Sequence, residues 1–304
     1  MLPDNPLRAI LLAVGATVLF SSSDTIAKYL SGGLPIIEFI WIRYVVFLVM
    51  ALCLIGQVPS RSVRPRNPGL QLIRGLCVAA SSVLFVYGVR QMSMAQATTI
   101  SFLSPLLVTI LSIPLLGERV GPRRWAAVAA GMLGMLVVVR PGLSGFQPAA
   151  LFGVASSSCW ALAMIITRKI SGSDTPQTTV LWSAGIGTAV LTVMLPFAVA
   201  WPTLKQLGLA LLMGVVASGG QWLVILAHRL APASLLAPFF YSQLLWSAGL
   251  GFLVFTNLLD QWTLVGAGII IASGLYTAHR ERVRAHMARA AAAVHKVAKP
   301  QPVV

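Results

Sequence analysis

Residues 85–105 read FVYGVRQMSMAQATTISFLSP, and this stretch contains the boundary that decides the fold. Its first five residues continue a long apolar segment, polar residues dominate from Arg90 to Ser101, and apolar character returns at Phe102. About 20 consecutive apolar residues are needed to cross the hydrocarbon core of a bilayer. The polar insert therefore predicts a short turn at Arg90–Met94 that joins two membrane-spanning helices.

The composition extends this interpretation to the whole chain. Of its 304 residues 57% are hydrophobic and 10% are charged, and the mean hydropathy is +0.86. A soluble domain carries about 25% charged residues, so these values predict an all-α polytopic membrane protein. Its ten expected transmembrane helices cover 7–30, 34–56, 69–89, 95–116, 123–140, 148–170, 177–200, 204–227, 233–255 and 261–279. The first segment is long and charged and lacks a cleavage signature, so no removed signal peptide is expected.

The distribution of basic residues predicts an orientation. With the N-terminus in the cytoplasm, sixteen of the 22 Lys and Arg residues fall inside, four fall outside and two lie within spans. This is the positive-inside bias of a membrane protein. It predicts a multi-pass protein of a bacterial-type inner membrane, with both termini cytoplasmic and Arg140 and Lys205 outside. The net charge of +15 is accounted for by this distribution of basic residues, so no nucleic-acid partner is expected. The basic tail, residues 280–304, is expected in the cytoplasm, where contact with anionic lipid is one alternative.

Weak internal similarity indicates a duplication. A shift of 139 residues places Arg90 on Arg229 and Gly75 on Gly214, and a shift of 140 places LSG at 30–32 on ISG at 170–172. Five spans per repeat is an odd number, so the second repeat must enter the membrane from the opposite side. The expected domains are the repeats 7–140 and 148–279. Two inverted repeats around a central cavity are typical of secondary transporters.

Several motifs resemble the EamA family of the drug/metabolite transporter superfamily, over about residues 7–279. They are SSSDTIAKYL (21–30), PIIEFIWIRY (35–44), SFLSPLL (101–107), LLGERVGPRRW (115–125), VVVRPG (137–142), APFFYSQLLW (237–246) and WTLVGAGIIIASGLY (262–276). The resemblance implies a carrier of small metabolites that works by alternating access. It favours export of amino acids or amino-acid-derived compounds, including opine-like metallophores. The alternative is uptake of riboflavin or a nucleoside-like metabolite.

Polar residues in the fourth span form the first candidate site. Thr98, Ser101, Pro105, Thr109 and Ser112 fall within about an 80° arc of a continuous helix. Such a stripe either lines a wet cavity or bonds back to its own helix and permits close packing. Small polar blocks and aromatic residues of other spans extend this expected cavity. The substrate-binding candidates are Arg43, Ser82, Tyr87, Thr98, Ser101, Phe102, Trp160, Trp182, Gln221, Trp222 and Tyr241.

Ionisable residues within spans are candidates for coupling or binding. Asp24 and Lys28 are spaced i, i+4, so they either pair or act separately. Glu38 is shallower and is a proton-responsive candidate, whereas Arg43 needs a partner on another helix or a ligand. Arg74 is expected to extend toward the cytoplasmic surface.

The sequence offers no basis for an enzyme. No H-E-x-x-H pair is present, and no histidine lies in the middle of a span to activate a serine. The expectation is a transporter without metal or cofactor, whose partners are a small-molecule substrate and membrane lipids. The oligomeric state, the direction of transport and the coupling ion stay open.

Overall fold

The structure, a computed structural model, describes residues 6–55, 64–117, 121–139, 147–197, 200–231, 239–257 and 260–276, with Leu236, His279 and Val283. Arg140 and the basic tail, apart from Val283, lie outside the described residues. The described part of the chain contains helices and no strand. The helices are α1 (Pro6–Leu30), α2 (Ile36–Ile55), α3 (Pro68–Gln91), α4 (Met94–Ser101), α5 (Ser104–Leu116), α6 (Pro122–Val139), α7 (Ala150–Ile170), α8 (Pro176–Met194), α9 (Leu204–Leu230), α10 (Gln243–Phe255) and α11 (Gln261–Tyr276).

These helices confirm the ten predicted spans. Among the described residues, seven helical segments are long and apolar enough to cross a membrane, and three shorter apolar helices occupy the remaining predicted positions. The turn predicted at Arg90–Met94 is also present, because α3 ends at Gln91 and α4 begins at Met94. Ser93 fixes this start: its hydroxyl accepts from the N–H of Gln96, whose side chain accepts from the N–H of Ser93.

Helix packing follows the duplication. The first repeat contributes α1, α2 and α3, and their counterparts in the second repeat are α7, α8 and α9. The extensive contact between α1 and α9 therefore corresponds to the contact between α7 and α3, which is also extensive. The contact of α2 with α9 likewise becomes that of α8 with α3, and α1–α10 becomes α7–α5. The helices of the two repeats therefore interlock in symmetry-related pairs, as two inverted copies of one unit do.

Two equivalent glycines allow the closest of these approaches. A Cβ atom built on Gly75 of α3 would lie 2.8 Å from the Cβ of Ile186 on α8. One built on Gly214 of α9 would lie 2.8 Å from the Cβ of Val46 on α2. Only a residue without a side chain fits at this distance, which is how small residues bring membrane helices together.

The fourth span is interrupted by a turn at residues 102 and 103. Pro105 has no N–H to donate, and the carbonyl of Ser101 instead accepts from the hydroxyl of Ser104 at 2.6 Å. Phe102 and Leu103 keep right-handed helical φ and ψ angles, and the polar stripe stays a prediction. Pro105 is exposed, whereas Thr98 and Thr109 are buried.

The ninth span is broken at the corresponding place. Residues 241 and 242 form a turn before α10 begins at Gln243. The hydroxyl of Ser242 donates to the carbonyl of Phe239 at 2.7 Å. A shift of 139 places Tyr241 on Phe102, so both repeats interrupt the same span at the same position.

Candidate functional site

One face of α1 is polar and lies against the break in the ninth span. The hydroxyls of Thr17 and Ser242 are 2.9 Å apart, and Ser21 donates to the carbonyl of Gln243 at 3.2 Å. One turn further, the side-chain amide of Gln243 lies 3.4 Å from a carboxylate oxygen of Asp24. Lipid offers polar groups no partner. The hydrogen-bonding groups on this face of α1 therefore find their partners in Ser242 and Gln243, at the interruption of the ninth span.

Arg43 of α2 is the charged neighbour of Asp24. Its guanidinium lies within electrostatic range of the Asp24 carboxylate. The two groups nevertheless form no salt bridge, and Arg43 has no hydrogen-bond partner among the residues that the structure describes. A guanidinium placed inside a membrane protein needs compensation. The arrangement thus presents one acidic side chain, Asp24, and one basic side chain, Arg43, on two adjacent spans to a charged ligand.

Lys28 does not pair with Asp24, although their spacing permits it. Its ammonium donates to the carbonyl of Met92 and lies 5.0 Å from the ring centroid of Phe255. Lys28 is thereby held at the turn between α3 and α4. Of the two alternatives for Asp24 and Lys28, the described contacts show them acting separately: Asp24 lies beside Gln243 and within electrostatic range of Arg43.

Tyr44 connects Arg43 to another predicted residue. Its hydroxyl lies 3.3 Å from that of Ser82 on α3, and its ring occupies the space where a side chain at Gly187 would stand. Tyr44 was not among the candidates, because nothing in its spacing separates it from a packing aromatic. The structure therefore brings Asp24, Arg43 and Ser82 into one region, with Tyr44 and Gln243 added.

The aromatic candidates of the two breaks contact each other. The rings of Phe102 and Tyr241 are 4.9 Å apart between centroids and meet edge to face at 77°. Phe102 also packs in an apolar cluster with Ala267 and Ile271 of α11, and the Tyr241 hydroxyl lies against Gly274 of the same helix. The pair thus faces the last span as well as its counterpart.

The remaining candidates are distributed over the fold. Tyr87 stacks on Phe152 at 5.7 Å. Ser101 donates to the carbonyl of Ala97 at 3.0 Å, as the packing alternative expects. Trp160 is exposed, and the three other candidates of the second repeat are half-buried: Trp182, Gln221 and Trp222.

Thr98 and Glu38 have contrasting surroundings. Thr98 is 2% exposed, and its hydroxyl has no hydrogen-bond partner among the described residues. A buried hydroxyl without a partner is costly, which marks Thr98 as a position that a ligand or water would satisfy. Glu38 is buried at the beginning of α2, where its carboxylate accepts from the N–H of Ala200 at 2.9 Å.

Arg74 was expected to extend to the surface, and this is wrong. It is half-buried between α3, α7 and α8, where it donates to the hydroxyl of Thr167 at 2.6 Å and to the carbonyl of Thr179 at 3.2 Å. It also donates to the hydroxyl of Ser183. The missed signal is that two of the acceptor residues, Thr179 and Ser183, are spaced i, i+4 on one face of α8, where they suit an interior cation.

Two cavities lie at the helix ends that the charge distribution places outside. One, of about 360 Å³, is lined by polar residues that include Lys28, Arg90, Gln96 and Asp260. The other, of about 350 Å³, lies beside the turn between α1 and α2. In the described part of the chain, no three His, Cys, Asp or Glu residues come together as a metal site.

A multi-span helical protein with paired interrupted helices and charged groups beside one break belongs to the class of secondary transporters. The model of the EamA-like transporter family matches residues 7–140 and 147–277. The chain belongs to this family, and the predictions of a transporter rather than an enzyme, and of this family, are confirmed.

Named relatives are transporters of bacteria, which supports an inner-membrane location. An S-adenosylmethionine uptake transporter of Rickettsia bellii is 28% identical over 86% of this chain and 90% of that protein. A riboflavin transporter of Rhizobium johnstonii is 29% identical over 92% and 94%. A pseudopaline exporter of Pseudomonas aeruginosa is 28% identical over 87% and 93%. A solved crystal structure matches the fold with a TM-score of 0.63 at 18% identity, over 90% of this chain and 98% of that one.

Proposed function

We propose that this carrier exports a small amino-acid-derived compound by alternating access between its two repeats. The observation that carries the proposal is the pair of Asp24 and Arg43, which lie within electrostatic range of each other and form no salt bridge in the described part of the chain. A carboxylate and a guanidinium held apart match the ammonium and carboxylate groups of an amino acid. Arg43 suits a carboxylate because its planar fork donates two parallel hydrogen bonds.

The interrupted ninth span supplies the neutral part of this site. Gln243 lies beside Asp24, and its amide presents both a donor and an acceptor to the cargo. Tyr44, which lies within electrostatic range of Arg43, and its neighbour Ser82 add two hydroxyl groups. Asp24 is also the proposed coupling residue, because its charge state decides whether it attracts an ammonium group.

The relatives support the cargo class without fixing the direction. S-adenosylmethionine contains an amino-acid head group, and relatives of nearly equal identity are named for uptake and for export. Export is the direction that the family resemblance favours. A flat vitamin is the second candidate, since another relative is named a riboflavin transporter.

Metabolite profiling of cells and medium, with and without the protein, tests the proposal. Export predicts that an amino-acid-derived compound accumulates in the cytoplasm on deletion, whereas uptake predicts its depletion. Asp24→Asn and Arg43→Ala should each reproduce the deletion profile at equal expression. Arg64→Ala, at an exposed position outside the spans, is the matched control and should give the wild-type profile. A changed compound without an amino-carboxylate group would refute the cargo class.

A further inference from the structure

The interlocked repeats create two equivalent seals at opposite ends of the molecule. At one end α3 packs against α7 and α8, near the turn at residues 171–175. At the other end α9 packs against α1 and α2, near the turn at residues 31–35. A shift of 139 relates α3 to α9, and a shift of 140 relates the α1–α2 hairpin to the α7–α8 hairpin.

The first seal is made of polar side chains. We call it the polar seal, and its members are Gln71, Arg74, Thr167, Asp174 and Thr179. The amide of Gln71 donates to the carboxylate of Asp174 at 2.8 Å and to the hydroxyl of Thr179 at 3.2 Å. The other oxygen of that carboxylate accepts from the N–H of Arg66 at 2.9 Å. Arg74 binds Thr167 and the Thr179 carbonyl in the next layer.

The second seal replaces every one of these residues with an apolar one. The counterparts, which we call the apolar seal, are Ala210, Met213, Ala27, Leu34 and Phe39, in the same order. All five belong to one hydrophobic cluster, and none is more than 5% exposed. The glycines next to the two seals, Gly75 and Gly214, approach their neighbours equally closely. The backbone packing is thus symmetric, whereas these five equivalent positions are polar at one end and apolar at the other; Glu38, next to Phe39, is buried at the second end and accepts from the N–H of Ala200.

This difference sets unequal costs for opening. When polar groups separate, water forms hydrogen bonds to both of them, so the loss of free energy is smaller than on deleting one partner, which leaves the other buried and unsatisfied. When an apolar interface separates, the cost rises with the area that water then contacts. The closed polar seal also leaves the Oε1 atom of Gln71 buried without a partner among the described residues. Opening hydrates this atom and removes its penalty.

We propose that the empty carrier opens preferentially at the polar seal. The positive-inside distribution assigns this end to the cytoplasm, where an exporter takes up its cargo. The inference rests on the proposed alternating-access function, because only a carrier must open each end in turn. Gln71, Arg74 and Asp174 then act as a gate whose polar side chains form hydrogen bonds with water when it opens. These residues are distinct from the proposed binding residues Asp24 and Arg43.

Hydrogen–deuterium exchange of the full chain in lipid nanodiscs, without added compounds, measures this bias. The segments 170–179 and 30–39 are matched, because each contains a turn, one proline and the first turn of a helix. Amide exchange reports local opening. We expect 170–179 to exchange about tenfold faster than 30–39, a difference of about 1.4 kcal/mol.

A variant that carries the repeat counterparts, Gln71→Ala with Arg74→Met and Asp174→Leu, should reduce this ratio to about threefold or less, since most of the polar seal becomes apolar and no carboxylate is left buried without its donor. Thr167 and Thr179 are not orphaned by it, because each hydroxyl also donates to a carbonyl of its own helix. Ile73→Ala, on the exposed face of α3, is the control and should leave the ratio unchanged.

In the wild-type protein, equal exchange of the two segments, or faster exchange at 30–39, would overturn the inference. This result does not depend on whether the variant folds. If a folded variant kept the same ratio of exchange rates, the side chains of the polar seal would not be the cause of the faster opening, and the inference would also fail. Neither readout depends on transport. Failure of the proposed cargo or direction is therefore distinguished from failure of this gate.

Discussion

Removing the carboxylate of Asp174 should lower the free energy of unfolding, and the hydrogen bonds that this group accepts give the expected magnitude. This side chain is 8% exposed and joins the α7–α8 turn to the beginning of α3. It accepts from the amide of Gln71 at 2.8 Å and from the N–H of Arg66 at 2.9 Å. Hydrogen bonds to a charged group contribute about 1.5–3 kcal/mol each. Gln71 retains Thr179 as a second acceptor, so the expected loss for Asp174→Ala is about 3 kcal/mol rather than the full sum.

Thermal unfolding of the purified protein measures this loss. At about 2–4 °C per kcal/mol for a large domain, Asp174→Ala should lower Tm by about 6–12 °C. Asp174→Asn keeps one acceptor oxygen and should lose about half as much. Ser171→Ala, in the same turn but exposed, is the control and should stay within about 0.5 kcal/mol of wild type.

The pH dependence separates the charge of Asp174 from its shape. Burial alone would raise the pKa of Asp174, but hydrogen bonds from Gln71, the Arg66 N–H, Ser173 and the Asn67 N–H lower it below its usual value. A carboxyl whose pKa is depressed in the folded state stabilises that state fully above the unfolded pKa, about 4. The contribution is lost as pH falls through the folded value. The Tm gap between wild type and Asp174→Asn should therefore be constant from pH 7 to about 5 and should close below about pH 4. A gap that persists unchanged at low pH would refute the role of the ionised carboxylate.

Three further outcomes are expected. Arg43→Ala should abolish transport, and Arg43→Lys should restore little because an ammonium lacks the bidentate fork; near-normal transport by the alanine variant would remove Arg43 from the site. Gly75→Ala and Gly214→Ala should each cost about 1–3 kcal/mol through overpacking, measured as equal falls in Tm, and a tolerated change at one position alone would contradict their equivalence. In a cysteine-free background, an impermeant thiol reagent should label a cysteine placed at Leu143 from outside and not one at Arg64; the reverse pattern would invert the proposed orientation.

The sequence alone determined the architecture. Hydropathy located all ten spans, because a helix that crosses a bilayer must be apolar over about 20 residues wherever its neighbours lie. Family membership also followed from the sequence, since motifs such as PIIEFIWIRY are contiguous. The weak internal matches at shifts of 139 and 140 predicted the duplication that the paired helix contacts now display.

The sequence predicted the site only in part. Arg43, Asp24 and Ser82 were correctly named as polar residues inside spans, but their common location required the packing of α1, α2 and α3. Tyr44 and Gln243 were missed because a tyrosine and a glutamine carry no periodic signal of their own. The polar stripe on the fourth span stays a prediction, since the turn at residues 102 and 103 changes the angular spacing that an ideal helix would give.

Only the tertiary structure decided which polar groups meet. Whether Asp24 faced Lys28 or Arg43 depended on the rotation of α1 against α2 and against the ninth span. Arg74 was predicted to reach water, yet α7 and α8 surround it with acceptors. Depth in the membrane is a one-dimensional property that the order of residues encodes. The partner of a buried charge is a three-dimensional property, because it is set by residues that come from helices about 100 positions away along the chain.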